Sequence, residues 1–228
     1  MKKVLVTGGA GFVGSHLVKY LLEIGDYDIV VFDRLSHHSL QNYEKNVVYF
    51  KGNILSEKDV TEVFKKYGPF VTVFHLASAM LNKEVSGSLL WETNISGTKN
   101  LISEAVKNNV KSFIFTSSNV AYGIPKTLPA KEEMPLNALE IYGKSKAKAE
   151  KVLAEFKKNI NIQIIRCPVI AGVGRLGLQA ILFEFIDENK NVYVLGDGSN
   201  KYQFADVTDV VIALEKASHI EGFDIYNI

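Results

Sequence analysis

The feature that most constrains this chain is a repeated alternation of two kinds of segment. Short, unbroken apolar runs rich in Val, Ile and Phe are separated by longer stretches of helical period. The strand-like runs are Val4-Leu5-Val6, Ile29-Val30-Val31-Phe32, Val47-Val48-Tyr49-Phe50, Val71-Thr72-Val73-Phe74, Ser112–Phe115 and Ile162–Ile165. They are continuous rather than alternating, as strands buried on both faces of a parallel sheet must be. Segments near Phe12–Ile24, Glu57–Lys66, Leu89–Lys107 and Tyr142–Lys158 supply the helices. In the third of these, Leu90, Ile95, Thr98, Leu101, Ile102 and Ala105 fall on one face. Repeated strand–helix–strand order with right-handed crossovers predicts an α/β, Rossmann-type doubly wound parallel sheet.

Beyond Arg166 the pattern loosens. A helix near Leu178–Glu188, a short Val192–Leu195 strand and a helix near Thr208–Ala217 predict a small, incomplete C-terminal substrate-binding region. The last residues, Tyr226-Asn227-Ile228, read as the middle of a strand. Lys and Arg number 26 against 25 Asp and Glu, so no strong global field draws the chain to nucleic acid or to an anionic membrane. No apolar stretch approaches a membrane span. Met1-Lys2-Lys3 runs straight into a strand, unlike a signal peptide. The single cysteine, Cys167, excludes an intramolecular disulfide framework and reads as a small buried hydrophobe in a reducing cytoplasm. No metal site is expected: His37 and His38 are adjacent loop residues, and His75 at a strand end reads as structural.

The first strand leads into Thr7-Gly8-Gly9-Ala10-Gly11-Phe12-Val13-Gly14, which opens the first helix. Gly9-x-Gly11-x-x-Gly14 fits the dinucleotide fingerprint, and Gly8, Gly11 and Gly14 are also spaced three apart. Residues without Cβ let a pyrophosphate approach the backbone, where the helix N-terminus offers N–H groups and a positive dipole end. Asp33 closes the second strand 19 residues after Gly14. A carboxylate there accepts hydrogen bonds from a ribose diol and repels a 2′-phosphate, so NAD is favoured over NADP. Arg34 beside it pulls the other way, since a guanidinium can hold a 2′-phosphate.

Tyr142 and Lys146 stand at i and i+4 on one helix face. An ammonium beside a phenol, together with an oxidised nicotinamide, favours the phenolate and makes a base for a substrate hydroxyl. Alone, the pair reads equally well as part of a lysine-rich surface with Lys144, Lys148 and Lys151. Thr116-Ser117-Ser118 ends the fifth strand, where ligands bind in open parallel sheets. Ser118 there can hold the reacting oxygen, or merely terminate the strand.

Taken together, these motifs resemble the extended short-chain dehydrogenase/reductase family of nucleotide-sugar epimerases and dehydratases, over nearly the whole chain. Gly52-Asn53-Ile54 is similar to its adenine-contacting segment, and His75-Leu76-Ala77-Ser78 to a strand end beside the cofactor. Asn94 matches a helix asparagine that supports the active site. Ser117-Ser118-Asn119-Val120-Ala121-Tyr122-Gly123 resembles Ser-Ser-x-x-Val-Tyr-Gly, and Arg166-Cys167-Pro168 a strand end near the nicotinamide amide. Gly196-Asp197-Gly198-Ser199 and Asp206–Val210 resemble a late substrate-side motif. The resemblance implies Ser118, Tyr142 and Lys146 as catalytic residues. It implies cofactor contacts from Gly8, Gly11, Phe12, Val13, Asp33 and Arg34 in the first half of the fold. Asn53, Ile54, Leu76, Ala77, Ser78 and Asn94 come next, then Thr116, Tyr142, Lys146 and Pro168.

The implied division is an NAD-binding domain over 1–166 and a partial substrate-binding region over 167–228, interleaved with late sheet elements. The implied partner is a nucleotide sugar, and the implied assembly is a homodimer through the helices carrying Trp91 and Tyr142, the equal alternative being that these helices simply pack on the sheet. Three departures stand out. Asn119 and Val120 fill places that are acidic in dehydratases, which favours epimerisation over elimination. Tyr202 stands where a diphosphate-binding arginine is usual, with Lys201 before it and Arg175 far upstream. Relatives continue past an asparagine like Asn227, so either the chain is a piece of a longer one or its sugar pocket is reduced. The expected function is an NAD-dependent sugar epimerase or oxidoreductase. The alternatives are a reductase or dehydrogenase of another small carbonyl compound, and a non-catalytic dinucleotide sensor.

Overall fold

A computed structural model describes residues 1–34, 47–194 and 196–228. Seven strands form one parallel sheet: β1 (Lys2–Thr7), β2 (Tyr27–Asp33), β3 (Val47–Lys51), β4 (Thr72–His75), β5 (Ser112–Ser118), β6 (Asn161–Cys167) and β9 (Phe223–Asn227). Their order is β3-β2-β1-β4-β5-β6-β9. Two short strands, β7 (Val169–Ala171) and β8 (Phe204–Asp206), pair with each other in a separate parallel ribbon. The helices are α1 (Phe12–Ile24), α2 (Glu57–Tyr67), α3 (Gly87–Glu92), α4 (Thr98–Lys107), α5 (Ile141–Ala154), α6 (Leu178–Asp187) and α7 (Val207–Ala217).

The sheet divides the core in two, which explains the continuous apolar runs. Leu5 packs with Val30, Phe32, Val73, Phe113 and Phe115 against the helix residues Val63, Leu101, Ile102 and Leu153. Its neighbours Val4 and Val6 face the other way, with Val31, Phe74 and Ile114, against Leu17, Leu21, Val210 and Leu214. Successive strand residues point to opposite faces, so both must be apolar. Each such side chain contributes about 1.5–3 kcal/mol of burial free energy. Because every strand runs the same way, Thr7, Asp33, His75, Ser118 and Cys167 all come to one edge.

Three expectations need correction. Leu89–Lys107 is not a uniform α-helix: a π turn at Thr93–Gly97 separates α3 from α4. The Thr98 hydroxyl donates to the Asn94 carbonyl there. Gly97 lies so close to Ile54 that an added Cβ would meet its side chain at 2.7 Å. The helix expected over Tyr142–Lys158 is α5, which ends at Ala154, where backbone bonds from Glu155 to Val152 and from Phe156 to Leu153 tighten the chain into turns. Residues 192–194 carry no strand, and Leu195 lies outside the described residues, as do His37 and His38.

Candidate active site

The chain turns to opposite sides of the sheet after β1 and β4, and the crevice between their carboxyl ends is where such sheets bind ligands. The glycine turn forms its floor. Gly8 has φ +71°, and a Cβ there would lie 2.6 Å from the Ala77 nitrogen. A Cβ on Gly14 would lie 2.1 Å from the Gly8 carbonyl oxygen, so α1 can approach the turn only without one. Gly11 precedes α1, and no side chain caps this end of the helix. A Cβ on Gly11 would meet only the Gly8 oxygen, at 3.2 Å, and Gly11 borders both halves of the crevice.

The smaller half, about 180 Å³, is lined by Phe32, Asp33, Arg34, Asn53, Ile54, Leu76, Ala77 and Ser78, with Gly8 and Gly11. Asp33 Oδ2 accepts the Ala10 N–H at 2.9 Å, which ties the end of β2 to the turn. The Asn53 carbonyl is engaged by the Leu55 N–H at 3.0 Å, so it shapes its own loop.

The larger half, about 620 Å³, is lined by Phe12, Val13, Thr116, Ser118, Tyr142, Lys146 and Pro168, among others. Glu140 caps α5 by accepting the N–H groups of Tyr142 and Gly143. That places Tyr142 in the first turn and Lys146 one turn below it. Lys146 is 3% exposed. Its Nζ donates to the Thr116 carbonyl at 2.9 Å and lies 5.7 Å from the Tyr142 ring centroid. Burial brings the Lys146 pKa down to about 8, opposed by Cys167 and Glu150. Tyr142 is pushed up to about 12 by burial, and the nearby Ser78 hydroxyl opposes the rise. In the protein alone, desolvation therefore outweighs the expected phenolate stabilisation, and Tyr142 is a phenol. The Ser118 hydroxyl is loosely held, 3.4 Å from both the Cys167 carbonyl and the Val120 N–H.

Other sequence candidates lie beneath this surface. Asn94 is 3% exposed. Its amide donates to Ala79 O and Ser145 Oγ, and its carbonyl accepts from Ala79 N and Ser78 Oγ. It is a strut joining the π turn to α5, not part of the crevice lining. His75 bridges the Thr7 and Thr98 hydroxyls at 2.8 and 2.9 Å, and burial brings its pKa down to about 3. Arg166, at the strand end expected beside the nicotinamide, turns its side chain into the core and is not among the residues lining the crevice. It is 3% exposed and clamps Glu150 at 2.6 and 3.1 Å, while its other arm donates to Tyr122 Oη and the Glu132 carbonyl.

Sequence reasoning missed Glu150, although it continues the Tyr142–Lys146 stripe four residues on. It also missed Ser145, whose hydroxyl donates to the Tyr142 carbonyl at 2.7 Å. Tyr202 is 62% exposed and does not line the crevice. Among the described residues no cluster of three His, Cys, Asp or Glu could hold a metal ion, and no helix is long and apolar enough to cross a membrane.

The chain matches the profile of the NAD dependent epimerase/dehydratase family over residues 4–228. It is 35% identical over 235 residues to y4nG, an uncharacterised protein of Sinorhizobium fredii, covering 100% of this chain and 56% of that one. Two solved structures superpose closely. One is the UDP-glucose 4-epimerase of Thermotoga maritima with UDP-glucose, with a TM-score of 0.87, 30% identity and coverage of 99% of this chain and 76% of that one. The other is the Thermus thermophilus UDP-glucose 4-epimerase complex with NAD, with a TM-score of 0.83, 28% identity and coverage of 99% and 77%. This chain thus spans just over half of one relative and about three quarters of the others. The uncapped helix end and the Cβ-free turn fit a dinucleotide, and the family whose profile the chain matches is NAD dependent. The profile match, the parallel sheet and the crevice lead to one conclusion: the chain belongs to the NAD-dependent epimerase/dehydratase family.

Proposed function

We propose that the protein is an NAD-dependent nucleotide-sugar epimerase that works by transient oxidation of a sugar hydroxyl. The observation carrying this reading is that Ser118, Tyr142 and Lys146 line one cavity that runs into the glycine turn. When bound, NAD supplies an acceptor and donor of hydride. Tyr142 Oη takes the hydroxyl proton, and Ser118 Oγ donates to the same oxygen and holds it in place. A positive charge entering beside the phenol lowers its pKa from about 12, which favours proton uptake by Tyr142 Oη. Lys146, fixed on the Thr116 carbonyl, holds a cation beneath the ring and presents it to the cofactor ribose.

Inversion follows when the ketone turns within this cavity and its other face is reduced. Asn119 and Val120 follow Ser118, and Glu140, the cavity's carboxylate among the described residues, is committed to capping α5. The lack of a poised acid favours epimerisation over water elimination. A homodimer through α3, α4 and α5 completes the reading, with Trp91 40% exposed on α3.

The test is conversion of UDP-hexoses by the NAD-loaded protein, with NMR of the sugar as the readout. Tyr142→Phe is expected to lower turnover about 10²–10⁴-fold with NAD still bound. Undiminished turnover in that variant removes Tyr142 from the base role. Tightly bound NAD with no turnover of any nucleotide sugar points to a sensor instead.

A further inference from the structure

Among the described residues, the charged side chains lining the larger half of the crevice are Glu140, Lys146 and Arg175. Two of them are engaged. Lys146 is buried on the Thr116 carbonyl, and Glu140 holds the first turn of α5. Arg175 differs. It comes after β7 in a tight hairpin closed by reciprocal 3.0 Å backbone bonds with Gly172, which fixes where the residue stands. Its guanidinium lies 5.8 Å from the centroid of the Phe12 ring, is exposed, and among the described residues forms no salt bridge. Around it the wall is largely apolar, with Met80, Leu81, Val120, Val169 and Ile170. Among the described residues, an anion entering this space meets one uncommitted cation, and a guanidinium offers a planar fork suited to two phosphate oxygens.

We propose that Arg175 anchors a phosphoryl group in the catalytic cavity, and that the group is the diphosphate of the sugar substrate. The proposal rests on the epimerase reading above and supplies the anion site that the reading requires. Tyr202 and Lys201 do not line the cavity. Among the described residues, a diphosphate of two or more negative charges would otherwise have the buried Lys146 to balance it, against Glu140. Arg175 also acts on the chemistry, because its charge favours ionised Tyr142.

The test measures binding, not activity. UDP and UDP-glucose are titrated calorimetrically into NAD-loaded wild type, Arg175→Gln and Arg175→Lys, and NAD is titrated into each free protein. Arg175→Gln is expected to weaken UDP about 10–100-fold and change NAD affinity less than twofold, with Arg175→Lys in between. An unchanged thermal midpoint shows that the hairpin variant is folded. If NAD weakens tenfold and UDP does not, the anchor stands but the phosphate is the cofactor's. If wild type binds both ligands and Arg175→Gln matches it on both, the proposal is wrong. If wild type binds no UDP compound, the nucleotide-sugar reading fails, and the NAD titration alone decides whether Arg175 is a phosphate anchor.

Discussion

Replacing Arg166 with Met should be among the most destabilising single changes in this protein. Arg166 donates to both Glu150 oxygens, to Tyr122 Oη and to the Glu132 carbonyl. Glu150 is 5% exposed and would keep only the Ser117 hydroxyl. Stranding one partner of a buried pair costs about 3–5 kcal/mol. Urea unfolding should show a midpoint lowered by roughly 1.5 M at pH 7, taking m as about 2.5 kcal/mol per M. Removing both charges with Arg166→Met and Glu150→Leu should recover more than half of the loss, since no charge is left buried. A single variant within 1 kcal/mol of wild type, or a double variant no better than the single, would refute the reasoning.

The floor and the underside of the crevice give two further outcomes. Gly14→Ala places a Cβ 2.1 Å from the Gly8 oxygen, backbone that cannot yield without moving the turn. It should cost about 1–3 kcal/mol by overpacking. Fluorescence titration should also show NAD affinity reduced at least tenfold, and an unaffected NAD affinity would mean that the turn does not hold the pyrophosphate. His75 has a folded pKa of about 3 against an ordinary 6.5, so the unfolded chain binds the proton first. Stability should therefore be lost as pH falls below 6.5, by about 2 kcal/mol at pH 5. His75→Gln should abolish that part of the slope, and identical acid profiles for the two proteins would show that His75 is not held neutral.

The sheet was legible in the sequence because the physics that forms it is local. Every residue of Val4-Leu5-Val6 must be apolar when alternate side chains enter different cores, and no amphipathic strand or surface helix imposes that demand. The π turn was not legible, since one extra residue in a turn leaves the apolar stripe of Leu101, Ile102 and Ala105 intact. Strands of three residues such as β7 and β8 carry too little pattern to be seen, and each exists by pairing with the other. In the site, the four-residue spacing of Tyr142 and Lys146 was readable because a helix converts spacing into adjacency. The balance between burial and charge at Tyr142 was not readable, because desolvation depends on what the rest of the fold packs around the ring. Arg166 shows the same limit more sharply. A strand end near a cofactor offers two faces, and the residue's role turns on which it takes. Arg166 takes the face where Glu150 waits, so it braces α5 against β6. Pro168, two residues on, lines the crevice instead. The brace runs along the helix that carries Tyr142 and Lys146, and through Ser117 it reaches the strand that ends in Ser118. A buried ion pair that contributes little net stability can thus still set the register between the base and the hydroxyl it works with.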